Sequence, residues 1–452
     1  MTYNLPISCV LMLMILLGCQ EKPEKPQEEP IQPQVDLSGP YGAPAIRNLS
    51  QLREVTGAAA YQKLGFTGRG VTVAILDNGF QELEFALGQS LPDDLTIEPF
   101  PEGEMSDTSH GTKLAELVYS IATGSNQYSP SLPGPDLKLF VTSGPYANLA
   151  HAVERLIAMK RNYPRRNIIC LYSQVWQYGG NLDGSGYINR LVQKAVDAGV
   201  IWINASGNLR SSVYVQDIEL DEQGKVSLPN DGSVLKLKVR EDGTRTKVVL
   251  AWNDFKDRYA EHTSSHDLNF SITNEDGEEL GRAELVQDGV HRDPIDGFSN
   301  FPREQMVATL AKGEYSLKVW SPNDSFYDNA QLWFSAAGQG VSFESVTQNV
   351  VLAPAGLPGV LTIGGADIAY SNRRQATDEL AKKPDVYAPS KIMLQDGATI
   401  EGTSTAAAVA AGVMAIYRQA YGLPRTNDLM RFSFFHRERN QRLLRLPEPR
   451  LK

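Results

Sequence analysis

The chain has 452 residues, and 42% of them are hydrophobic, which is enough for two or three domains with apolar cores. Its formal net charge of −10 argues against nucleic acid as a partner. Cys9 and Cys19 lie in the leader segment, so Cys170 has no partner for an internal disulfide and is expected to be a buried, inert thiol.

The first nineteen residues, 1–19, have the pattern of an export signal. Residues 9–17 form an apolar core that is too short to span a membrane as a mature helix. The core ends in Leu16-Leu17-Gly18-Cys19, which resembles the lipobox of bacterial lipoproteins, although no Lys or Arg precedes it. The resemblance implies a lipidated Cys19 and an extracytoplasmic place on the bacterial cell envelope, in the periplasm or at the cell surface, rather than an uncleaved membrane anchor. Residues 20–45 are predicted to be a disordered tether, because their Glu-, Pro-, Gln- and Lys-rich composition cannot bury apolar surface.

Strand and helix patterns alternate from residue 46 onward. Short apolar runs rich in β-branched residues predict buried strands, and apolar residues spaced three or four apart predict amphipathic helices. The predicted strands are residues 71–77, 137–141, 168–172 and 200–205, and the predicted helices are residues 147–159 and 188–198. This alternation predicts an α/β fold in which a parallel sheet has helices on both faces.

A different pattern begins at residue 214. Segments with strand composition are separated by turn signals such as Glu241-Asp242-Gly243, which is typical of an antiparallel β-sandwich. These segments are residues 235–239, 247–252, 268–272 and 315–320. The α/β pattern returns at residue 347, so the sandwich, residues 214–346, is predicted to be inserted between two parts of the α/β domain, residues 46–213 and 347–424. The Arg-rich end, residues 425–452, is predicted to be a basic tail that forms a solvated helix, with contact to anionic lipid as the alternative.

Three residues have positions that suit nucleophilic chemistry. Asp77 ends a predicted buried strand, His110 opens a predicted helix, and Ser404 stands where a Gly-Thr-Ser turn enters a helix of small residues. The unpaired N–H groups at such a helix start suit an oxyanion. Each residue alone also fits a structural role, as a turn carboxylate, a helix-start side chain or a helix cap. Together they supply the carboxylate, the base and the hydroxyl that acyl transfer requires.

Five stretches resemble motifs of the subtilisin-like serine peptidases, whose triad follows the chain order Asp, His, Ser. These stretches are Val73-Ala74-Ile75-Leu76-Asp77-Asn78-Gly79, Ser109-His110-Gly111-Thr112, Asn204-Ala205-Ser206-Gly207-Asn208, Lys383-Pro384-Asp385-Val386-Tyr387-Ala388-Pro389 and Gly402-Thr403-Ser404-Thr405-Ala406-Ala407. The resemblance covers roughly residues 50–212 and 347–422. It implies a subtilisin-like parallel sheet and a serine endopeptidase that acts on protein or peptide substrates.

The resemblance also implies a role for each matching residue. Ser404 would be the nucleophile. His110 would be the general base and then the acid toward the leaving amine, and Asp77 would hold the imidazole and stabilise its charged form. Asn208 would donate its side-chain amide to the tetrahedral oxyanion, together with the backbone N–H of Ser404.

The substrate-binding strand of the family is matched less closely. Residues 170–176 correspond to it only in part, and Ser173 is the residue there that we expect to bind substrate. Val175 stands where the family has a substrate-side glycine, which could crowd the cleft and alter specificity.

The inserted segment resembles the jelly-roll sandwich of some bacterial subtilases. Trp252-Asn253-Asp254 and His266-Asp267-Leu268-Asn269 carry this likeness. Its acidic loop residues could bind calcium, but ordinary turn carboxylates are the favoured interpretation. The prediction therefore requires no cofactor and assigns no residue to a metal.

These features predict a lipid-anchored serine endopeptidase outside the cytoplasm. The alternative is a catalytically silent surface lipoprotein that binds peptides or glycans on a subtilase scaffold. A hydrolase of the esterase kind is disfavoured, because the sequence lacks the Gly-x-Ser-x-Gly elbow.

Overall fold

A computed structural model describes a large part of the chain, all of it within the unit Ser38–Lys452. The described residues are 46–124, 133–144, 146–229, 234–258, 261, 264–291, 298–323, 326–327, 329–347, 349–375, 380–422, 433–436 and 441–449. The predicted signal, residues 1–19, and the predicted tether, residues 20–45, lie outside them. None of the described helices combines the length and the apolar character needed to cross a membrane.

Both strands and helices occur along the described residues. The strands, in chain order, are β1 (Arg47–Asn48), β2 (Val71–Asp77), β3 (Asp136–Val141), β4 (Asn167–Tyr172), β5 (Ile201–Ala205), β6 (Val213–Asp217), β7 (Leu235–Val239), β8 (Thr244–Trp252), β9 (Asn269–Thr273), β10 (Glu279–Ala283), β11 (Arg303–Leu310), β12 (Gly313–Trp320), β13 (Gln331–Ala337), β14 (Val341–Phe343), β15 (Leu361–Gly365), β16 (Val386–Ala388), β17 (Lys391–Met393), β18 (Thr399–Glu401), β19 (Ser433–His436) and β20 (Gln441–Leu444). The helices are α1 (Leu49–Val55), α2 (Ala58–Gln62), α3 (Leu83–Ala86), α4 (His110–Thr123), α5 (Tyr146–Asn162), α6 (Tyr187–Asp197) and α7 (Thr403–Tyr421). Each strand and helix predicted above between residues 71 and 320 has a counterpart of the same type.

The central sheet runs through the α/β part of the chain. In the described residues its parallel strands have the order β20-β16-β15-β5-β4-β2-β3, and β19 pairs antiparallel with β20 at one edge. Every residue of β2, β5 and β15 is buried, which explains the near-continuous apolar character of these segments. Parallel strands bring their carboxyl ends to one edge, and the candidate functional residues lie at that edge.

Helices cover both faces of the central sheet. On one face, α1, α2, α3, α4 and α7 pack in a core that includes Leu117, Val413 and Val73. On the other face, α5 and α6 pack against side chains such as Trp202 and Cys170. The prediction of an α/β fold with helices on both faces is confirmed. Cys170 is a free, fully buried thiol, as expected, and burial raises its pKa.

The inserted antiparallel sandwich is also confirmed. One sheet has the order β10-β9-β12-β7-β14 and the other β11-β8-β13-β6, and an apolar core lies between them. Val248, Leu250 and Trp252 on β8 belong to that core, whereas Val249 and Ala251 pack in the core of the α5 and α6 face. The second half of β8 and most of β13 are thus buried on both sides, whereas alternate residues of β11 are exposed. The jelly-roll type of the sandwich stays a prediction.

The solvated helix predicted for the Arg-rich end is wrong where the structure describes that end. Residues 433–436 and 441–444 form β19 and β20, and β20 adds a parallel strand beside β16. Leu443 and Leu444 are buried on opposite faces of the sheet, and Leu446 is buried beyond it. The arginines obscured this apolar pattern, which covers an otherwise open sheet edge.

Candidate active site

The carboxyl ends of β2, β4 and β5 carry the candidate site. Asp77 is the last residue of β2, Ser173 directly follows β4, and Asn208 lies shortly after β5. The first turns of α4 and α7 add His110 and Ser404. Five different elements therefore deliver the five site residues named from the sequence to one edge of the sheet.

Asp77 is buried, with 2% of its side chain exposed, and both of its carboxylate oxygens are hydrogen-bonded. The backbone N–H groups of Asn78 and Gly79 donate to Oδ1 over 2.8 and 3.4 Å. The Ser173 hydroxyl donates to Oδ2 over 2.6 Å, and His110 Nδ1 lies 2.7 Å from the same atom. These donors offset the cost of burying the carboxylate and fix its orientation toward the imidazole.

His110 lies between Asp77 and Ser404. Its Nε2 is 3.0 Å from Ser404 Oγ. A carboxylate only accepts, so Nδ1 carries the proton and Nε2 is left to accept from the Ser404 hydroxyl. Burial of the ring lowers the pKa of His110, but the hydrogen bond and the charge of Asp77 outweigh that effect, so the pKa lies above its ordinary value. The side chain is 43% exposed, which leaves one side of the ring open to a substrate.

Close backbone packing sets the position of His110. The N–H of Gly111 donates to the carbonyl oxygen of Gly79 over 2.9 Å, which joins the start of α4 to the turn after Asp77. A Cβ on Gly111 would lie 2.5 Å from the Phe80 ring and 2.7 Å from the Gly79 oxygen. Residue 111 must therefore be glycine for the imidazole to reach the carboxylate in this arrangement.

Ser404 lies in the first turn of α7, whose residues from Thr403 to Arg418 are all buried. Gly402 precedes the helix with a φ of 133°, a conformation that favours glycine. A Cβ on Gly402 would lie 3.4 Å from Ser404 Oγ and 3.2 Å from Asn208 Nδ2. The hydroxyl and the amide nitrogen therefore border the same small space above Gly402.

Thr403 fixes the side chain of Asn208. The backbone N–H and the hydroxyl of Thr403 both donate to Asn208 Oδ1, each over 3.0 Å, and the hydroxyl accepts from the N–H of Gly207 over 3.1 Å. Because the amide oxygen is held in this way, the amide nitrogen is turned toward the space beside Ser404. An oxyanion in this space could accept from Asn208 Nδ2 and from the N–H of Ser404.

Two contacts at the site did not follow from the sequence. Ser173, expected to bind substrate, donates its hydroxyl to Asp77 Oδ2, and Thr403, which had no assigned role, holds Asn208. The sequence offered a partial signal for Ser173, because it follows a predicted parallel strand and so lies at the same edge of the sheet as Asp77. That its strand pairs with β2 is seen only in the structure. Nothing comparable indicated the contact of Thr403, which joins residues 195 positions apart.

No metal centre was expected at this edge. Among the residues described by the structure, no group of three or more His, Cys, Asp or Glu side chains is arranged to hold a metal ion. The polar groups that do meet at this edge include a carboxylate, an imidazole, two serine hydroxyls and an amide.

The geometry defines a class: an α/β protein in which a carboxylate, an imidazole and a hydroxyl are linked by hydrogen bonds at the edge of a parallel sheet. Residues 269–432 match the family model described as Subtilase family (Peptidase_S8). The matched segment contains Ser404 but neither Asp77 nor His110. Among solved structures, the chain is similar to the CspB protease of Clostridium perfringens, with 14% identity, a TM-score of 0.45, and 80% of this chain and 86% of that chain covered. The comparison with curated proteins found no match.

Proposed function

We propose that this chain is a serine endopeptidase that hydrolyses peptide bonds through an acyl-enzyme intermediate. The observation that carries the proposal is the continuous line of hydrogen bonds from Asp77 through His110 to Ser404. A serine hydroxyl is a weak nucleophile, and an adjacent base oriented by a carboxylate is the arrangement that activates it. The match of residues 269–432 to the subtilase family agrees with this chemistry.

In the proposed reaction, Ser404 Oγ attacks the peptide carbonyl carbon while its proton passes to His110 Nε2. The imidazolium, stabilised by Asp77, then gives this proton to the leaving amine, and the acyl group stays on Ser404. A water molecule that loses a proton to His110 then attacks the acyl carbonyl, the bond between the acyl carbon and Ser404 Oγ breaks, and His110 returns the proton to Oγ. The second product leaves as a carboxylic acid, which ionises in water. Asn208 Nδ2 and the Ser404 N–H hold the negative oxygen that forms in each half of the reaction.

A fluorophosphonate probe tests the proposal, because it reacts only with an activated serine. We expect the purified chain to be labelled at Ser404 and to cleave a broad peptide library, and we expect Ser404→Ala to lose both properties. Ser227→Ala is the matched control, since Ser227 is an exposed sandwich residue away from the site. A folded wild-type protein that neither reacts nor cleaves would contradict the proposal and favour the catalytically silent peptide- or glycan-binding lipoprotein.

We further propose that the chain is held at the bacterial cell envelope, outside the cytoplasm, by a lipid on Cys19. The apolar run and the lipobox-like Leu16-Leu17-Gly18-Cys19 support this location. Metabolic labelling with an alkyne-bearing fatty acid is expected to mark the wild type and Cys9→Ser but not Cys19→Ser. Equal labelling of Cys19→Ser, or none of the wild type, would remove the basis for the anchor.

A further inference from the structure

The turn that carries Asn208 lies beyond the paired part of β5. Gly207, directly before Asn208, has a φ of 96°, in the left-handed region that favours glycine. Ser206 and Gly207 are buried, whereas Asn208 itself is exposed. Because the strand ladder ends at Ala205, contacts from other segments must hold the peptide groups on either side of Asn208.

Asn372 bonds to both of these peptide groups. Its backbone N–H donates to the carbonyl oxygen of Gly207 over 2.9 Å, and its side-chain Oδ1 accepts from the N–H of Leu209 over 2.6 Å. A Cβ on Gly207 would lie 3.2 Å from the same Oδ1, so the Asn372 side chain also packs against the turn. One residue therefore holds the backbone immediately before and immediately after Asn208.

The side chain of Asn372 is itself fixed. It is 2% exposed, and its Nδ2 donates to the carbonyl oxygen of Val350 over 3.1 Å. An N–H only donates and a carbonyl only accepts, so one orientation of the amide satisfies both Leu209 and Val350. Val350 is buried in the segment by which the chain returns from the sandwich to the α/β domain. The turn is thus tied to a packed part of the molecule.

Ser371, the residue before Asn372, joins the same segment to the central sheet. Its hydroxyl lies 3.1 Å from the hydroxyl of Ser206 and accepts from the N–H of Gly365, at the end of β15, over 3.2 Å. All three of these residues are buried. The position of Asn372 relative to the edge of the sheet is therefore set by contacts other than its own bonds to the turn.

We infer that Asn372 is a positioning residue for the proposed oxyanion site, an inference that rests on the proposed function. Thr403 fixes the side chain of Asn208, whereas Asn372 fixes the backbone from which that side chain extends. An oxyanion donor is effective because it is aligned before the reaction begins. A turn that could shift would move Asn208 Nδ2 away from the space beside Ser404, which would lower kcat more than it raises KM.

Asn372→Leu tests this role, because leucine has nearly the same shape but neither donates nor accepts. With Ser404 in place, kcat for a peptide substrate should fall roughly tenfold, and KM should change by less than about twofold. Asn372→Asp keeps an acceptor for the N–H of Leu209 and should retain more of kcat than Asn372→Leu. Asn189→Leu is the matched control, since Asn189 is also 2% exposed and its amide nitrogen donates to two carbonyl oxygens of the loop before α6. It should leave kcat per folded molecule unchanged.

A second substitution separates positioning from a general loss of structure. If Asn372 acts through Asn208, adding Asn372→Leu to Asn208→Ala should change kcat by less than about twofold. A further tenfold loss in that background would mean that Asn372 supports the site by another route, and it would overturn the inference. Unchanged kcat in Asn372→Leu, measured beside an active wild type, would overturn it as well.

Hydrogen exchange tests the same role without any activity. In full-length Ser404→Ala protein, Asn372→Leu should speed exchange in the peptide that contains Thr403, whose N–H donates to Asn208 Oδ1, and Asn189→Leu should not. Unchanged exchange at Thr403 in folded Asn372→Leu protein would contradict the positioning role. An inactive wild type would contradict the proposed function instead, and the exchange result would still decide whether Asn372 holds Asn208.

Discussion

Single hydrogen bonds set the state of each reacting group in the proposed site. Asp77 has donors on both oxygens, so its orientation does not depend on His110 alone. The Ser173 hydroxyl takes part in this orientation, which gives it a positioning role beside any contact with substrate. In the proposed mechanism, the protonation of His110 decides activity, because a charged imidazole cannot accept the proton of Ser404.

The pH dependence of activity follows from His110. Asp77 raises the pKa of this imidazole above its ordinary value, near 6.5, and the proposed mechanism requires the neutral form. We therefore expect kcat/KM to fall as the pH drops through an apparent pKa above 6.5. Asp77→Asn should move this fall in kcat/KM, the acid limb of the profile, to lower pH. It should also lower the plateau of kcat/KM at higher pH by roughly 10⁴-fold. Profiles between about pH 5 and 9 measure both effects.

Asp107→Asn is the matched control for this profile, because Asp107 is an exposed carboxylate close to His110 in sequence. It should leave the limb and the plateau unchanged. An acid limb that stays in place in Asp77→Asn would mean that another group controls the profile.

Substitutions of Thr403 test the proposed oxyanion site, because Thr403 holds the side chain of Asn208. Thr403→Val removes the hydroxyl that donates to Asn208 Oδ1 but leaves the backbone donor in place. Loss of an oxyanion donor costs about 10²–10³ in turnover, and a loosened donor should cost less, roughly tenfold in kcat with little change in KM. Thr403→Ser should restore kcat, because it restores the hydroxyl. A change confined to KM would argue against this positioning role.

At the scale of elements, the sequence allowed most of the site to be foreseen. Asp77, His110 and Ser404 occupy a strand end and two helix starts, and these boundaries follow from local apolar patterns and from the glycines beside them. The bonds of Ser173 and Thr403 did not follow, because they depend on which strands are neighbours and on how α7 meets the turn after β5. Such contacts form between distant segments, and a local pattern does not encode them.

Val175, in the segment after β4, is expected to limit substrate size. Its methyl carbons lie 3.0 and 3.5 Å from where a Cβ on Gly207 would stand, so it packs against the segment that leads to Asn208. Val175→Gly should raise kcat/KM for peptides with a large residue before the cleaved bond, relative to a small one, by about tenfold or more. Val175→Ile should change the ratio in the opposite direction. A ratio that is the same in all three proteins would exclude Val175 from the specificity of the cleft.

At the scale of the described molecule, two sets of contacts join distant parts of the chain. The sandwich packs on the α/β domain, and the C-terminal end packs on the central sheet and the first helices. Val249 and Ala251 of β8 and Trp333 of β13 pack in the core of the α5 and α6 face, so the insertion is packed on the α/β domain through one of its sheets. The end of the chain adds β20 to the central sheet and then contacts the first helices. There the N–H of Leu446 donates to the carbonyl of Thr56 over 2.8 Å, and the Tyr61 hydroxyl donates to the carbonyl of Pro447 over 3.0 Å.

The insertion was predictable because a period of two replaces the α/β pattern over many residues. The last strand was not, because it is short, rich in arginine and pairs with a strand more than fifty residues earlier.

This packing predicts that the C-terminal strand contributes to global stability. Leu443 and Leu444 are 0% and 3% exposed, so Leu443→Ala and Leu444→Ala should each lower the free energy of unfolding by about 2–5 kcal/mol. Arg445→Ala is the control, since Arg445 is exposed in the same segment and should change it by about 0.5 kcal/mol or less. Urea unfolding of Ser404→Ala proteins measures these differences without self-cleavage. Because β20 lies at the opposite side of the sheet from β2, the same leucine substitutions made with Ser404 in place should leave kcat per folded molecule unchanged. Leucine variants as stable as the arginine variant would mean that the end of the chain is a solvated tail after all.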